Sequence, residues 1–273
     1  MTYQAETRNM ALFCDFENVA LGVRDAKYAQ FDISKVIERL LLKGNIVVKK
    51  AYCDWARYKD FKAAMHEASF ELIEIPHVSQ SGKNSADIRM VVDALDLCYT
   101  KQHVDTFVII SGDSDFSPLV SKLRENNKVV IGVGVKNSAS DLLIANCDEF
   151  IYYDDLVRRQ PPRRRTADRE TGRKPTQGPA AKAARPAGDK KQEAWDLIVE
   201  TYEALVEERG EGEKIWGSMI KQTLKRRKPG FNESYYGFRS FSQMLEEAEA
   251  RGILELEPEE KSGGYIIRSC HAL

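Results

Sequence analysis

Along the first 155 positions of the chain, short apolar runs alternate with amphipathic stretches. The runs at 10–16, 46–53, 71–76, 106–111 and 129–135, with a short one near 149–152, predict strands. The stretches at about 32–43, 56–69, 85–101, 114–126 and 138–146 predict helices. In the third of these helices Ile88, Val91, Val92 and Leu95 follow the i, i+3, i+4, i+7 spacing expected of a buried stripe. The strands are near-continuous Val/Ile/Phe runs rather than alternating ones, as expected when both faces of a sheet are covered. Repeated strand–helix units of this kind predict an α/β fold, a doubly wound parallel sheet.

The pattern changes after residue 192. Trp195, Ile198, Val199, Tyr202, Leu205 and Val206 form one helical stripe. Ile215, Met219, Ile220 and Leu224 form a second, and Phe241, Met244, Leu245 and Ala248 a third. Residues 253–257 and 265–268 then read as a hairpin around 258–264. Three short helices followed by a hairpin predict a small winged helix-turn-helix domain. Residues 158–191 match neither half: they hold five prolines, few large apolar residues, and 12 Lys or Arg against three Asp or Glu. Such a segment buries too little apolar surface to offset the entropy of ordering, about 1–2 kcal/mol per residue for the backbone. The expected organisation is therefore a domain over 1–157, a basic linker over 158–191 and a winged helix over 192–273.

Composition adds constraints. The 273 residues carry 41 Lys and Arg against 42 Asp and Glu, so the basic linker leaves an acidic remainder. Clustered Arg163, Arg164 and Arg165 make the linker a candidate phosphate-binding arm, with a plain solvated tether as the simpler alternative. No apolar run reaches 18 residues, and residues 1–8 are polar without the apolar stretch of a signal peptide. The expectation is a soluble cytoplasmic protein without membrane association. Five widely spaced Cys predict neither a disulfide framework nor a zinc site.

Ligand sites of doubly wound sheets lie outside the carboxyl ends of the strands, where the strand order reverses. The first predicted strand ends in Asp15-Phe16-Glu17-Asn18, the second in Tyr52-Cys53-Asp54, and the fourth in Ser111-Gly112-Asp113-Ser114-Asp115-Phe116. The helix before that fourth strand opens with Lys83-Asn84-Ser85-Ala86-Asp87 and later carries Asp93. Taken singly, Asp87 is explained by the helix dipole and Asp113 with Asp115 by a capped turn. Their arrival together at the same edge as Asp15 points instead to a divalent cation. Carboxylates brought together raise one another's pKa values unless a cation balances them, and an all-oxygen set suits Mg²⁺ or Mn²⁺. His is absent from these motifs, which disfavours His-based catalysis. Asn18 is expected to orient a carboxylate or bind substrate. Gly132-Val133-Gly134 reads as close strand packing rather than a phosphate loop. Two other chemistries share this architecture: a haloacid-dehalogenase-type phosphatase, for which Glu17 fits poorly, and a Toprim-type site, for which Asp15 stands where Glu is wanted.

Together these motifs resemble the NYN domain, a branch of the PIN-like nucleases, over residues 10–155. The matching pieces are Phe13-Cys14-Asp15-Phe16-Glu17-Asn18, Ala51-Tyr52-Cys53-Asp54-Trp55, Lys83-Asn84-Ser85-Ala86-Asp87 and Ser111-Gly112-Asp113-Ser114-Asp115-Phe116. The resemblance implies a sheet of order 3-2-1-4-5 and a Mg²⁺- or Mn²⁺-dependent ribonuclease. It implies Asp15, Asp87 and Asp113 as the metal-binding acids and Asp115, Asp54 or Asp93 as a fourth, with Asn18 and Ser111 in support. The second half is similar to an OST-HTH (LOTUS) winged helix through Gly217-Ser218-Met219-Ile220-Lys221, Lys228-Pro229-Gly230-Phe231 and Tyr236-Gly237-Phe238. That likeness implies RNA as a partner and, for some members, a protein partner. Lys83, the three linker arginines, and Lys225, Arg226, Arg227 and Lys228 are the expected RNA contacts, with Phe231 and Phe238 read as core. The expected function is an endoribonuclease. The alternatives are an RNA-binding adaptor with a weak or inactive first domain, or a small-molecule phosphohydrolase.

Overall fold

The computed structural model describes residues 8–75, 85–158, 187–210, 212–228, 230–259 and 264–270. They fall into two compact units, one within residues 3–159 and the other within 160–273.

The first unit is built on six strands: β1 (Arg8–Asp15), β2 (Gly44–Cys53), β3 (Glu71–Glu74), β4 (Thr106–Ile110), β5 (Val129–Gly134) and β6 (Glu149–Tyr152). All neighbours pair in parallel, in the order β3-β2-β1-β4-β5-β6. This is the expected doubly wound α/β sheet with β6 added beside β5. The flanking helices are α1 (Phe16–Asp25), α2 (Ile33–Lys43), α3 (Lys62–Glu67), α4 (Ser85–Thr100), α5 (Ser117–Glu125), α6 (Asp141–Asn146) and α7 (Tyr153–Arg158).

The strand alternation assigns each side chain to a face. Met10, Leu12 and Cys14 of β1 belong to one core with Phe16, Val36 and Leu40 of α1 and α2. Ala11 and Phe13 belong to the opposite core with Met90 and Ala94 of α4 and Val120 and Leu123 of α5. Each large apolar side chain so buried contributes about 1.5–3 kcal/mol. At Gly132 a Cβ would come within 2.4 Å of the Phe150 ring, so the glycines of β5 serve close packing.

Three expectations are corrected. The first is α4, whose buried stripe is Met90, Ala94 and Cys98, whereas Ile88 and Val92 are 63% and 56% exposed. The small Ala94 and Cys98 allow close approach to the sheet, while Val91 and Leu95 of the expected stripe are partly buried against the same core. The second is α1, absent from the apolar pattern, which nevertheless starts directly after Asp15 and buries Phe16, Val19, Gly22 and Val23. The third is the segment expected to be helical from 56 to 69, which is helical only from Lys59, first as a 3₁₀ turn.

The second unit contains α8 (Ala187–Arg209), β7 (Ile215–Trp216), α9 (Gly217–Arg227), α10 (Phe241–Ala250), β8 (Leu254–Pro258) and β9 (Tyr265–Cys270). The three strands form an antiparallel sheet of order β7-β9-β8, with β8 and β9 as the expected hairpin. Helices followed by a β-hairpin are the element order of a winged helix. Its core includes Trp195, Ile198, Leu224, Phe231, Phe238 and Met244. The stripes of α8 and α10 lead into it, whereas Ile215, expected in the second helix, lies in β7 and reaches the core from there. Residues 187–191, expected in the linker, open α8. No helix of the described residues is long and apolar enough to cross a membrane.

Candidate functional site

Strands β1 and β4 lie side by side although two strands separate them in sequence, so the order of strands reverses between them. Their last paired residues are Cys14 and Ile110. Asp15 and Ser111 therefore leave the sheet together at its carboxyl edge. Asp15 caps α1 by accepting from the Asn18 backbone N–H at 3.4 Å. The Ser111 hydroxyl donates to Asp15 Oδ2 at 3.0 Å and accepts from the Asp113 backbone N–H at 3.2 Å. The Asn18 side-chain oxygen accepts from the Gly112 N–H at 2.8 Å. Asp113 Oδ1 in turn caps the 3₁₀ turn that leads into α5, accepting from the Asp115 N–H at 2.9 Å. A Cβ on Gly112 would meet the Ser138 carbonyl oxygen at 2.4 Å, so only glycine lets the loop after β5 close over this turn.

The acids at this edge act on one another. Asp15 is only 7% exposed. Burial, then the nearby charges of Asp87 and Asp113, push its carboxyl from 3.8 up to about 7, against the lowering effect of the Ser111 and Asn18 hydrogen bonds. Asp87, in the first turn of α4, is also raised, first by burial and then by Asp113, Asp115 and Glu17. Asp115 is exposed. Among the described residues no Lys, Arg or His pairs with Asp15, Asp87, Asp113 or Asp115. Four carboxylates from three separate segments thus share a region without a balancing cation. The donor set is hard oxygen throughout and fits Mg²⁺ or Mn²⁺ in kind. It is not a preformed cage: among the described residues no three His, Cys, Asp or Glu side chains stand as one ion-holding group.

Two other candidate acids lie in different company. Asp93 of α4 accepts from Lys50 Nζ at 3.3 Å, Tyr52 OH at 2.9 Å and Arg89 Nε at 3.1 Å. It fastens α4 to β2 and is already neutralised. Asp54 accepts from the Ala56 N–H at 3.1 Å in the turn after β2. Lys83 and the arginines at 163–165 lie outside the described residues. In the second unit Lys225 and Lys228 are exposed. Arg227 pairs with Glu200 at 3.0 Å, and Arg226 donates to Thr223 Oγ1 at 2.9 Å. Tyr235 is exposed, with Lys190 Nζ at 4.6 Å from its ring, while Phe231 and Phe238 are buried as expected.

Two features took on a role that the sequence did not assign them. Glu17, two residues after Asp15, contributes to the field at Asp87 while its own Oε1 accepts from Arg57 Nη1 at 3.0 Å. Its position in the Asp-Phe-Glu-Asn motif was the available signal. Beside Asp115 a shallow groove is lined by Ser114, Ser117, Pro118, Ser121 and Leu142. The Ser117 hydroxyl is buried there without a hydrogen-bond partner; three serines around one acid were legible only once α5 was placed.

A family model described as NYN domain matches residues 9–154. Over 154 residues, 56% of this chain, the sequence is 25% identical to the Xenopus tropicalis protein named "Meiosis regulator and mRNA stability factor 1". It is 30% identical over 118 residues to the uncharacterized protein MJ0482 of Methanocaldococcus jannaschii. These matches span 9% of the first relative and 45% of the second. A crystal structure of a protein of unknown function from Vibrio parahaemolyticus, VPA0982, is similar in fold, with a TM-score of 0.50 and 27% identity. That match covers 56% of this chain and 96% of that one.

Proposed function

The chain belongs to the NYN-domain family, and on that premise we propose that it is a divalent-metal-dependent endoribonuclease. The observation that carries this reading is the group of Asp15, Asp87, Asp113 and Asp115, coupled in charge, partly buried, and lacking any cationic partner among the described residues. Negative charge is costly to gather in this way, and a bound Mg²⁺ or Mn²⁺ removes that cost. The name of the vertebrate relative, a meiosis regulator and mRNA stability factor, supports RNA as the polyanion.

In this proposal Asp15, Asp87 and Asp113 hold the metal. A bound ion would supply Lewis-acid stabilisation of charge on the phosphate and would make water a better nucleophile at neutral pH. Ser111 holds the Asp15 carboxylate by its hydrogen bond and Asn18 holds the Gly112 amide, which keeps the two strand ends in register. Asp115, which is exposed, would take the proton of the attacking water at a carboxylate oxygen. The serine groove beside it offers hydroxyls to the sugar–phosphate backbone. The second unit, read as an OST-HTH winged helix, and the basic segment 158–191 supply further RNA affinity. Lys225, Lys228 and exposed Tyr235 are the groups for phosphate and base contacts.

One observation favours the alternative of an RNA-binding adaptor with a weak first domain: the acids do not stand as a finished cage. A single experiment separates the two. Purified protein and Asp113→Asn are incubated with labelled single-stranded RNA in Mn²⁺ and in EDTA. The nuclease reading expects cleavage that requires the metal and falls at least about 100-fold in the variant. Tight, salt-sensitive binding without cleavage would leave the adaptor.

A further inference from the structure

A cavity in the first unit is lined by none of the four acids. It has a volume of about 240 Å³ and a wall of aromatic rings: Tyr28, Phe31, Tyr58 and Phe61, closed by Leu21 and Arg24 of α1. We propose that this cavity is a nucleobase subsite that receives one unpaired base of the RNA substrate, an inference that rests on the ribonuclease reading above.

Three observations point to this occupant. The first is the lining. Tyr28, Tyr58 and Phe61 are partly exposed over the buried Phe31, with Arg24 beside them. Aromatic rings beside a cation are the composition that stacks single-stranded bases, since every base offers a π-face. The volume is below the roughly 300–1,000 Å³ of pockets that enclose drug-sized ligands, which suits one ring system. The second is rigidity. Tyr58 and Phe61 sit 5.6 and 5.1 Å from the Phe16 ring, and Tyr28 sits 6.1 Å from Tyr153 while its hydroxyl donates to Asp154 at 2.9 Å. The walls are therefore ordered before a base arrives, and little entropy is lost on binding.

The third is placement. Glu17, Leu21 and Arg24 recur at i, i+4 and i+7 on α1, so the cavity lies along the same helix face as the acid at the edge of the catalytic group. At 1.5 Å per residue, Glu17 and Arg24 are about 10 Å apart along the axis. Arg57, bonded to Glu17 at 3.0 Å, immediately precedes Tyr58 of the cavity wall. An RNA strand whose scissile phosphate lies at the acids thus has a neighbouring nucleotide within reach of the rings. The cavity faces the carboxyl-terminal half of α1, where the helix dipole disfavours an anion. The buried moiety is accordingly the neutral base, and the phosphate stays outside, near the exposed Arg24 guanidinium.

The test uses the full chain and a hexaribonucleotide carrying one 2-aminopurine, whose fluorescence is quenched when it stacks. Working in EDTA separates binding from cleavage. The expected result is saturable quenching in the unaltered protein. Leu21→Glu and Tyr58→Ala should weaken it by about 5- to 150-fold, the range produced by loss of one base–aromatic stack. Tyr58 packs on Phe16, so Tyr58→Ala risks misfolding; Leu21 is at the surface, and its variant keeps the test decisive. Quenching that is absent, or unchanged in Leu21→Glu, overturns the subsite. Cleavage in Mn²⁺ without quenching overturns the subsite and spares the nuclease reading; quenching without cleavage does the reverse.

Discussion

Asp15 carries a consequence that stability measurements can read. Its carboxyl titrates near 3.8 when free and near 7 in the folded protein without metal. Between those values the folded state keeps a proton that the unfolded state has released. Stability contributed by this group is thus present below about pH 4 and lost as pH rises to about 7, by an amount on the order of 4 kcal/mol at most. In metal-free buffer Asp15→Asn should flatten that slope and melt above the unaltered protein at pH 8, with little difference at pH 4. A variant that melts lower at both pH values would mean that the hydrogen bonds from Ser111 and Asn18 outweigh the charge. Asp93 is held by Lys50 and Arg89 and bonded to Tyr52. Asp93→Ala leaves those partners unsatisfied and should cost about 1–3 kcal/mol in a denaturant titration. Ser111→Ala should retain the fold but lower RNA cleavage about 10- to 100-fold, the usual effect of releasing a ligand from the group that orients it.

At the level of elements, the sheet was legible because its buried parallel strands are short Val/Ile/Phe-rich runs set between longer amphipathic stretches. The expected order 3-2-1-4-5 agrees with the structure apart from the β6 addition at the edge. Two helices were misread for opposite reasons. In α1 the apolar spacing starts at Phe16, which belongs by pattern to the strand before it, so the join was hidden because the strand's last residue, Asp15, is also the helix cap. In α4 the i, i+4 pairing of Ile88 and Val92 imitated a buried stripe, while the buried face consists of Met90, Ala94 and Cys98. Packing distance, rather than hydrophobicity, chose between the faces. It follows that Val92→Lys should change stability by no more than about 0.5 kcal/mol, whereas Ala94→Leu should cost about 1–3 kcal/mol. Chemical denaturation of the two variants checks both values, and a large loss for Val92→Lys would mean that this face is covered.

For the whole molecule, the acidic motifs were readable as a group because each ends a strand or opens a helix at one edge of the sheet. What sequence could not supply was the division among them. Asp93 shares the acidic character of Asp87 but, two turns along α4, meets Lys50 and Arg89 instead of other acids. Glu17, weighed in the sequence only as a poor fit to a phosphatase motif, acts on Asp87 because of where α4 lies. Deletion of residues 159–186, which spares α7 and α8, should reduce RNA affinity and lower the slope of log affinity against log salt, in proportion to the phosphates the segment's cations neutralise. An unchanged slope would reduce it to a tether.

The account stands on a cation drawing Asp15, Asp87 and Asp113 together, and calorimetric titration of Mn²⁺ into the full chain at pH 7 addresses that directly. The predicted result is saturable binding with proton release, since Asp15 is part-protonated at that pH before the ion arrives. Binding should weaken by at least about tenfold in Asp113→Asn. No saturable heat, or the same isotherm in the variant, would contradict it.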